Sequence, residues 1–326
     1  MNRYINLFYK LYKYYKYYIY YYYKMSDYIH AYEYESNVNP LLNSVPIYNK
    51  NIVDCDYGIN FIDFSQIYNV KYKATTPNLL ASFIKIKPNS HHLFLAEGFT
   101  NASSHLFYIM EGKCNIINGE ETNNNDSFYL DKGDLFISPC FKSITIMNTG
   151  KTDLNIYYIN DSPLLNYLGA VVKKETFKAS IYSKEFLLTN LEEKSNPKNN
   201  RKGILLSNDD TEKIGVNTIT PVLWSLYNEL PPNTIQNPHK HNSVALDLCI
   251  LCSDTENIYT LIGDELDENG NIINPTKVNW RQNEMFITPP GLWHSHHNTG
   301  NTYAYILPIQ DAGILLYQRI LGIVLK

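Results

Sequence analysis

The sequence predicts an all-β protein of two tandem barrels, joined by a short helical connector and closed by a C-terminal helix. Three observations carry this. From about residue 77, short apolar or alternating runs follow one another between turn residues: LLASFIKIK, LFYIM, CNIING, SFYL, DLFIS, SITIMN and LNIYYIN. Runs this short and evenly spaced mark a β sandwich or barrel, because a half-buried strand alternates with a period of two. The pattern stops over residues 161–200 and resumes as NTITPVLWSLYNEL, SVALDLCIL, IYTLIG, IINPTKVNW, EMFITP and TYAYILPIQ. At 326 residues the chain is long enough for two compact units, as one interruption in a repeated pattern implies.

In chain order, residues 1–24 (MNRYINLFYKLYKYYKYYIYYYYK) are a low-complexity extension rich in Tyr and Lys. Lysines interrupt any apolar core, so the segment is neither a membrane span nor a secretory signal. The residues alone leave three readings: an unordered extension, which is the expectation; an upstream start with Met25 as the functional initiator; and a basic segment lying on a membrane surface. Residues 25–160 are assigned to the first barrel and 161–200 to the linker. In the linker Ser183 is a suitable N-cap, Phe186, Leu187 and Leu191 keep a helical period, and Asn and Pro end it. Residues 201–326 make the second barrel. Within it Asn269-Gly270 predicts a type I′ hairpin turn, and DAGILLYQRILGIVLK has the Leu and Ile spacing of a helix.

A net charge of −4, with Lys and Arg scattered beyond the N-terminus, argues against a nucleic-acid partner. The five cysteines, odd in number and widely spaced, predict reduced thiols and a cytoplasmic protein rather than a disulfide framework. Cys249 and Cys252 read as C-x-x-C, but on a regular strand residues i and i+3 point to opposite faces, which excludes a shared ion.

Histidine is crowded: PHKH (238–241) and PPGLWHSHH (289–297) hold five of the nine in the chain. On a strand His239 and His241 project to one face, and His294 can arrive from a later strand after the Pro289-Pro290-Gly291 turn. Three converging imidazoles make a metal site with coordination positions left for water, dioxygen or a chelating substrate. His296 shares the face of His294 and is the candidate for proton transfer, at an imidazole able to titrate near neutral pH. His297 should point away. Trp224, Trp280, Trp293, Tyr227, Tyr303, Tyr305, Gln236 and Gln310 are weaker candidates to line a pocket.

These motifs resemble those of the cupin superfamily. His239-x-His241, followed by Asn283-x5-Pro289-x-Gly291-x2-His294-x3-Asn298, is similar to the two cupin metal-binding motifs, with Asn283 in place of the glycine that usually opens the second. The resemblance covers both β units and implies a bicupin: two antiparallel jelly rolls and a divalent metal, most readily Fe(II), with Zn, Mn or Ni as alternatives. The usual glutamate ligand is matched by Leu246, and Asp247 next to it is expected on the opposite face, serving as a fourth ligand only after a register shift. A site of three histidines without glutamate is similar to gentisate-type and 1-hydroxy-2-naphthoate-type ring-cleaving dioxygenases. It implies a small chelating substrate such as a hydroxylated aromatic acid, although Arg281 and Arg319 lie outside the motifs and no pocket arginine is evident. Two other classes stay open: a non-oxidative isomerase or lyase, and a non-catalytic metal- or ligand-binding cupin. Association into a homo-oligomer is also left open. The first barrel aligns Gly98 and Thr100 with the paired histidines, His105 with the glutamate, Phe141 with the turn glycine and Ile144 with the last histidine, which predicts a barrel without metal. His91 and His92 are expected in a solvated loop.

Overall fold

A computed structural model describes residues 2–326 apart from 27, 96–100, 119–126, 141–142 and 197–199. The chain divides into two units, residues 1–43 and 44–326. The first contains helix α1 (Asn2–Ser26) and the single turn α2 (Tyr34–Asn37). Helix α1 stands where the sequence predicts an unordered extension; no Gly or Pro interrupts residues 2–26, and Leu and Lys are good helix formers. Among the described residues no helix is long and apolar enough to cross a membrane.

The second unit holds both β barrels. Its first half contributes β1 (Asn49–Asn51), β2 (Gly58–Ile62), helix α3 (Ser65–Tyr68), β3 (Leu80–Ile86), β4 (His91–Leu95), β5 (His105–Glu111), β6 (Lys113–Asn118), β7 (Ser127–Asp131), β8 (Leu135–Ser138), β9 (Ser143–Asn148) and β10 (Leu154–Asn160). The connector contains α4 (Ser162–Leu168), β11 (Ser180–Tyr182) and α5 (Lys184–Lys194). Ser183 caps α5 by accepting from Phe186 N at 3.1 Å. The second half contributes β12 (Lys202–Leu206), α6 (Asp209–Glu212), β13 (Trp224–Leu230), β14 (Thr234–Ile235), β15 (His239–His241), β16 (Ala245–Leu251), β17 (Ile258–Gly263), β18 (Thr276–Asn279), β19 (Glu284–Thr288), β20 (Trp293–Asn298), β21 (Ala304–Gln310), α7 (Ala312–Tyr317) and β22 (Ile323–Leu325).

Each barrel pairs a six-stranded sheet with a second one. The large sheets run β11-β8-β5-β10-β3-β2 and β1-β19-β16-β21-β13-β12; the second sheets are the four-stranded β4-β9-β6-β7 and the six-stranded β18-β17-β20-β15-β22, in which β14 also pairs with β20. The edge strands are exchanged: β1 precedes the first barrel but pairs with β19 of the second, and β11 precedes the second but pairs with β8 of the first. The large sheets face one another across a shared core to which Phe83, Leu106 and Tyr157 come from one barrel and Leu246, Leu248 and Leu307 from the other. Strands covered on both faces read as nearly continuous apolar runs, which explains SVALDLCIL and LNIYYIN.

Four local expectations are corrected. The C-terminal tail is only half helical, since after α7 and Gly322 the β-branched Ile323 and Val324 pair as β22 with β15. His91 and His92 lie on β4 rather than in a loop. At the 266–272 turn only Gly270 takes positive φ (84°), because the Asp267 carboxylate accepts from Asn269 N and Asn271 N and fixes a wider loop. Cys249 and Cys252 do not diverge: the register shifts between Cys249 and Leu251, and this irregularity returns Cys252 to the side of Cys249, where the two thiols interact in the core beside Trp280.

Candidate metal centre

Strand β15 is three residues long, and its alternation sends His239 and His241 inward while Lys240 turns out, its Nζ 4.7 Å from the centre of the Trp293 ring. The strand lies between β20 and β22, with His239 directly opposite His294. The Pro289-Pro290-Gly291 turn is pinned to it, Gly291 N donating to His241 O at 2.7 Å. Gly291 has φ of 83°, a conformation a side chain would oppose. His294 therefore enters the barrel three residues later. Ring centres are 4.0 Å apart for His239 and His294, 4.9 Å for His241 and His294, and 6.0 Å for His239 and His241. One ligating atom from each lies within 4.8 Å of the other two, the only such grouping of His, Cys, Asp and Glu among the described residues.

The protonation pattern suits a cation. His241 Nδ1 is 2.8 Å from Ser243 O and His294 Nδ1 is 3.2 Å from Leu292 O, so each ring donates Nδ1–H to a carbonyl and keeps the Nε2 lone pair for a metal. His239 has the Asn237 carbonyl as backbone acceptor and Arg201 Nη2 at 3.0 Å from its Nδ1. An arginine cannot accept, so the carbonyl is the partner compatible with the ligating tautomer. Burial, followed by the neighbouring charges, holds His239 and His294 well below the ordinary imidazole range, and burial lowers His241. All three are neutral at physiological pH, the form that binds metal.

The other predicted residues separate. His296 is buried, with ring centres 6.1 Å from His239 and 5.9 Å from His294. Trp280 Nε1 donates to Thr260 Oγ1 at 2.8 Å, which directs the Thr260 hydroxyl hydrogen to His296 Nδ1, also at 2.8 Å. The relay leaves Nε2–H for the cavity that His296 lines. Burial and then Arg201 push this imidazole down to about 3, which favours the neutral ring over the near-neutral titration the sequence suggested. His297 turns away and stacks on Tyr259 at 4.9 Å. Trp224, Gln236 and Gln310 line the cavity. Tyr227 packs in the core between barrels, Tyr305 bonds Glu229, and Tyr303 is exposed.

On β16 the faces are the reverse of those expected. Leu246 points into the core between barrels, whereas Ala245 and Asp247 face the cavity. One of the two cavity-facing positions on that strand, Ala245, thus carries only a methyl group. Asp247 is buried, accepts from Thr288 Oγ1 at 2.9 Å, and lies outside the histidine cluster; burial raises its carboxyl to about 7. Asn283, in the slot of a motif glycine, has φ of 65°, a left-handed conformation that Asn tolerates better than most residues.

The cavity is about 290 Å³. Two of its features escaped sequence reasoning. Arg201 stands in no motif, yet it lies half-buried against His239, and its Nη1 is buried with no hydrogen-bond partner among the described residues. Ile323 and Leu325 of β22 form part of the wall, from a tail read as helix. The remaining wall is largely apolar, with Ile204, Trp224, Leu226 and Pro308.

No protein-family model matches the sequence, and no curated protein matches it. Solved structures do. Salicylate 1,2-dioxygenase from Pseudaminobacter salicylatoxidans superposes with a TM-score of 0.66 at 12% identity, covering 93% of this chain and 96% of that one. The chain has the bicupin fold. An adduct of the same enzyme with gentisate gives 0.63 at 12% identity, covering 89% and 87%. A point mutant of Bacillus subtilis oxalate decarboxylase gives 0.51 at 13%, covering 85% and 79%. At such identities the likeness is one of fold, and the chemistry of this chain has to be read from its own residues.

Proposed function

We propose that this bicupin binds a divalent metal through His239, His241 and His294, and that with Fe(II) it acts as a dioxygenase on a small, anionic, chelating substrate such as a hydroxylated aromatic acid. The observation that carries the reading is the Arg201 guanidinium beside three neutral imidazoles, its Nη2 held by Asn237 O at 2.8 Å and its buried Nη1 without a hydrogen-bond partner among the described residues: three neutral ligands leave the ion's charge uncompensated, and Arg201 adds a further positive charge to the same cavity. When bound, the metal supplies Lewis acidity, a lowered pKa for a coordinated hydroxyl, and a meeting point for two reactants. The protein's residues do the rest. Arg201 offers Nη1 to a carboxylate, a charge-assisted contact made stronger by burial. Trp224, Leu226 and Leu325 enclose a flat apolar body and exclude water. His296 presents Nε2–H, held in one tautomer by Thr260 and Trp280, as a donor to an oxygen of the substrate.

The likeness of fold to a dioxygenase that acts on salicylate supports this reading. One observation favours a second: Asp247, with its carboxyl raised to about 7, is the kind of group that shuttles a proton in a Lewis-acid isomerase or lyase. Oxygen uptake by the Fe(II)-loaded protein, followed on a panel containing salicylate, gentisate and 1-hydroxy-2-naphthoate, separates the two. Stoichiometric uptake with any member supports the dioxygenase. Substrate turnover without uptake, or with Zn in place of Fe, contradicts it.

A further inference from the structure

Helix α1 contains the features of an interfacial element. Phe8, Leu11, Tyr12, Tyr15 and Ile19 recur at i, i+3, i+4, i+7 and i+11, which at 3.6 residues per turn places them in one stripe. They are 80%, 61%, 64%, 68% and 39% exposed among the described residues. Lys10 and Lys13 fall on the other side of the helix, near Tyr17 and Tyr20, and Lys16 on the flank of the stripe beside Tyr9. Residues 2–26 also include Arg3 and Lys24 and no Asp or Glu, whereas the whole chain carries a net charge of −4. Positive charge is therefore concentrated on the helix. Its uninterrupted 25 residues reach roughly 37 Å at 1.5 Å per residue, but the helix is not apolar enough to span a bilayer.

We propose that α1 binds the surface of an anionic membrane, lying in the plane of the interface with Phe8, Leu11, Tyr15 and Ile19 in the acyl boundary and Lys10, Lys13 and Lys16 against acidic headgroups. An uncovered apolar stripe specifies a surface that accepts hydrocarbon, and a basic opposite face specifies one that is negative; an anionic bilayer offers both along one line. Tyrosine suits that depth, since its ring is apolar and its hydroxyl stays wet. Binding to nucleic acid would use the charge and leave the stripe in water. A second copy of the helix would cover the stripe but bring like charges together.

The test is co-sedimentation of the full-length protein with vesicles of phosphatidylcholine alone and of phosphatidylcholine containing phosphatidylserine. The expected result is binding to the anionic vesicles, at least tenfold weaker on neutral ones, and weakened by salt. K10E/K13E/K16E should lose at least tenfold in affinity for anionic vesicles, and Phe8→Ser with Leu11→Ser should lose a similar amount. Metal content should be unchanged in both variants, which separates the outcome from that of the metal site. Equal binding to both vesicle types, undiminished binding by either variant, or a wild-type dimer that the Phe8→Ser/Leu11→Ser variant dissolves without any vesicle binding would overturn the proposal.

Discussion

The two barrels have one scaffold and two interiors. Their large sheets follow the same strand order, and equivalent residues do equivalent structural work: Asn148 and Asn298 each donate Nδ2 to two carbonyls and accept from the backbone N of a following glycine. Gly133 and Asn283 both sit at positive φ and donate N–H to the equivalent carbonyls of Ile109 and Cys249. Inside, the barrels part. Ile144 stands at the position of His294, and its register partner is Phe94 where the second barrel has His239. His105 on β5 matches Ala245 on β16, and its Nδ1 meets the Tyr158 hydroxyl at 2.7 Å. Phe107 stacks on Phe136 and Tyr158, with centres 5.9 and 4.6 Å apart. The same pleat and register thus yield a filled core or a histidine-lined cavity according to a handful of inward side chains, and the backbone need not change for chemistry to appear in one half.

The largest effect that sharpens this contrast lies in the filled barrel. Phe107→Ala removes a fully buried ring from an aromatic stack and should cost about 3–5 kcal/mol in chemical denaturation. Metal content should be retained, because the site lies in the other barrel. Next comes the cavity itself. Arg201→Gln should raise KM for a carboxylate-bearing substrate at least tenfold with a smaller change in kcat, read from steady-state kinetics, while Arg201→Lys keeps part of the loss repaired. An unchanged KM would remove Arg201 from substrate binding.

A smaller effect concerns Asp247, buried with its carboxyl raised from 3.8 to about 7. A raised folded-state value means that the native state holds a proton the unfolded chain releases, so the contribution to stability is complete below 3.8 and is lost as pH rises through about 7. In chelator-treated protein the melting temperature should therefore fall, relative to Asp247→Asn, between pH 4 and 7.5. Parallel profiles would show that Asp247 is ionised throughout. The smallest effect tests the scaffold: Asn283→Gly should be nearly neutral, whereas Asn283→Val should cost about 1–2 kcal/mol because a β-branched residue resists positive φ.

Much of this was legible in the sequence because it rests on short-range rules. Period-two runs locate the strands, a serine cap starts α5, and the H-x-H spacing fixes two imidazoles on one face. What was not legible depends on register and on long-range pairing. Whether Leu246 or Asp247 faces the cavity turns on a single-residue slip, which flips every side chain of a strand. The exchange of β1 and β11 between barrels leaves no local mark, and β22 was hidden because ILGIVL satisfies a helical period as readily as a strand. Arg201 was missed for a related reason: it belongs to no motif, and only the pairing of β12 with β13 brings it beside His239. Gly98, Thr100 and Phe141, aligned with the motif positions of the first barrel, lie outside the described residues.

The most direct measurement is the metal stoichiometry of purified wild-type protein beside His294→Ala and Ile144→Ala, the two equivalent positions. Convergence of His239, His241 and His294 on one ion predicts about one equivalent of divalent metal in the wild type and in Ile144→Ala, and near none in His294→Ala, with all three proteins folded by circular dichroism. Full stoichiometry in His294→Ala, or loss on changing Ile144 alone in a folded protein, would contradict it.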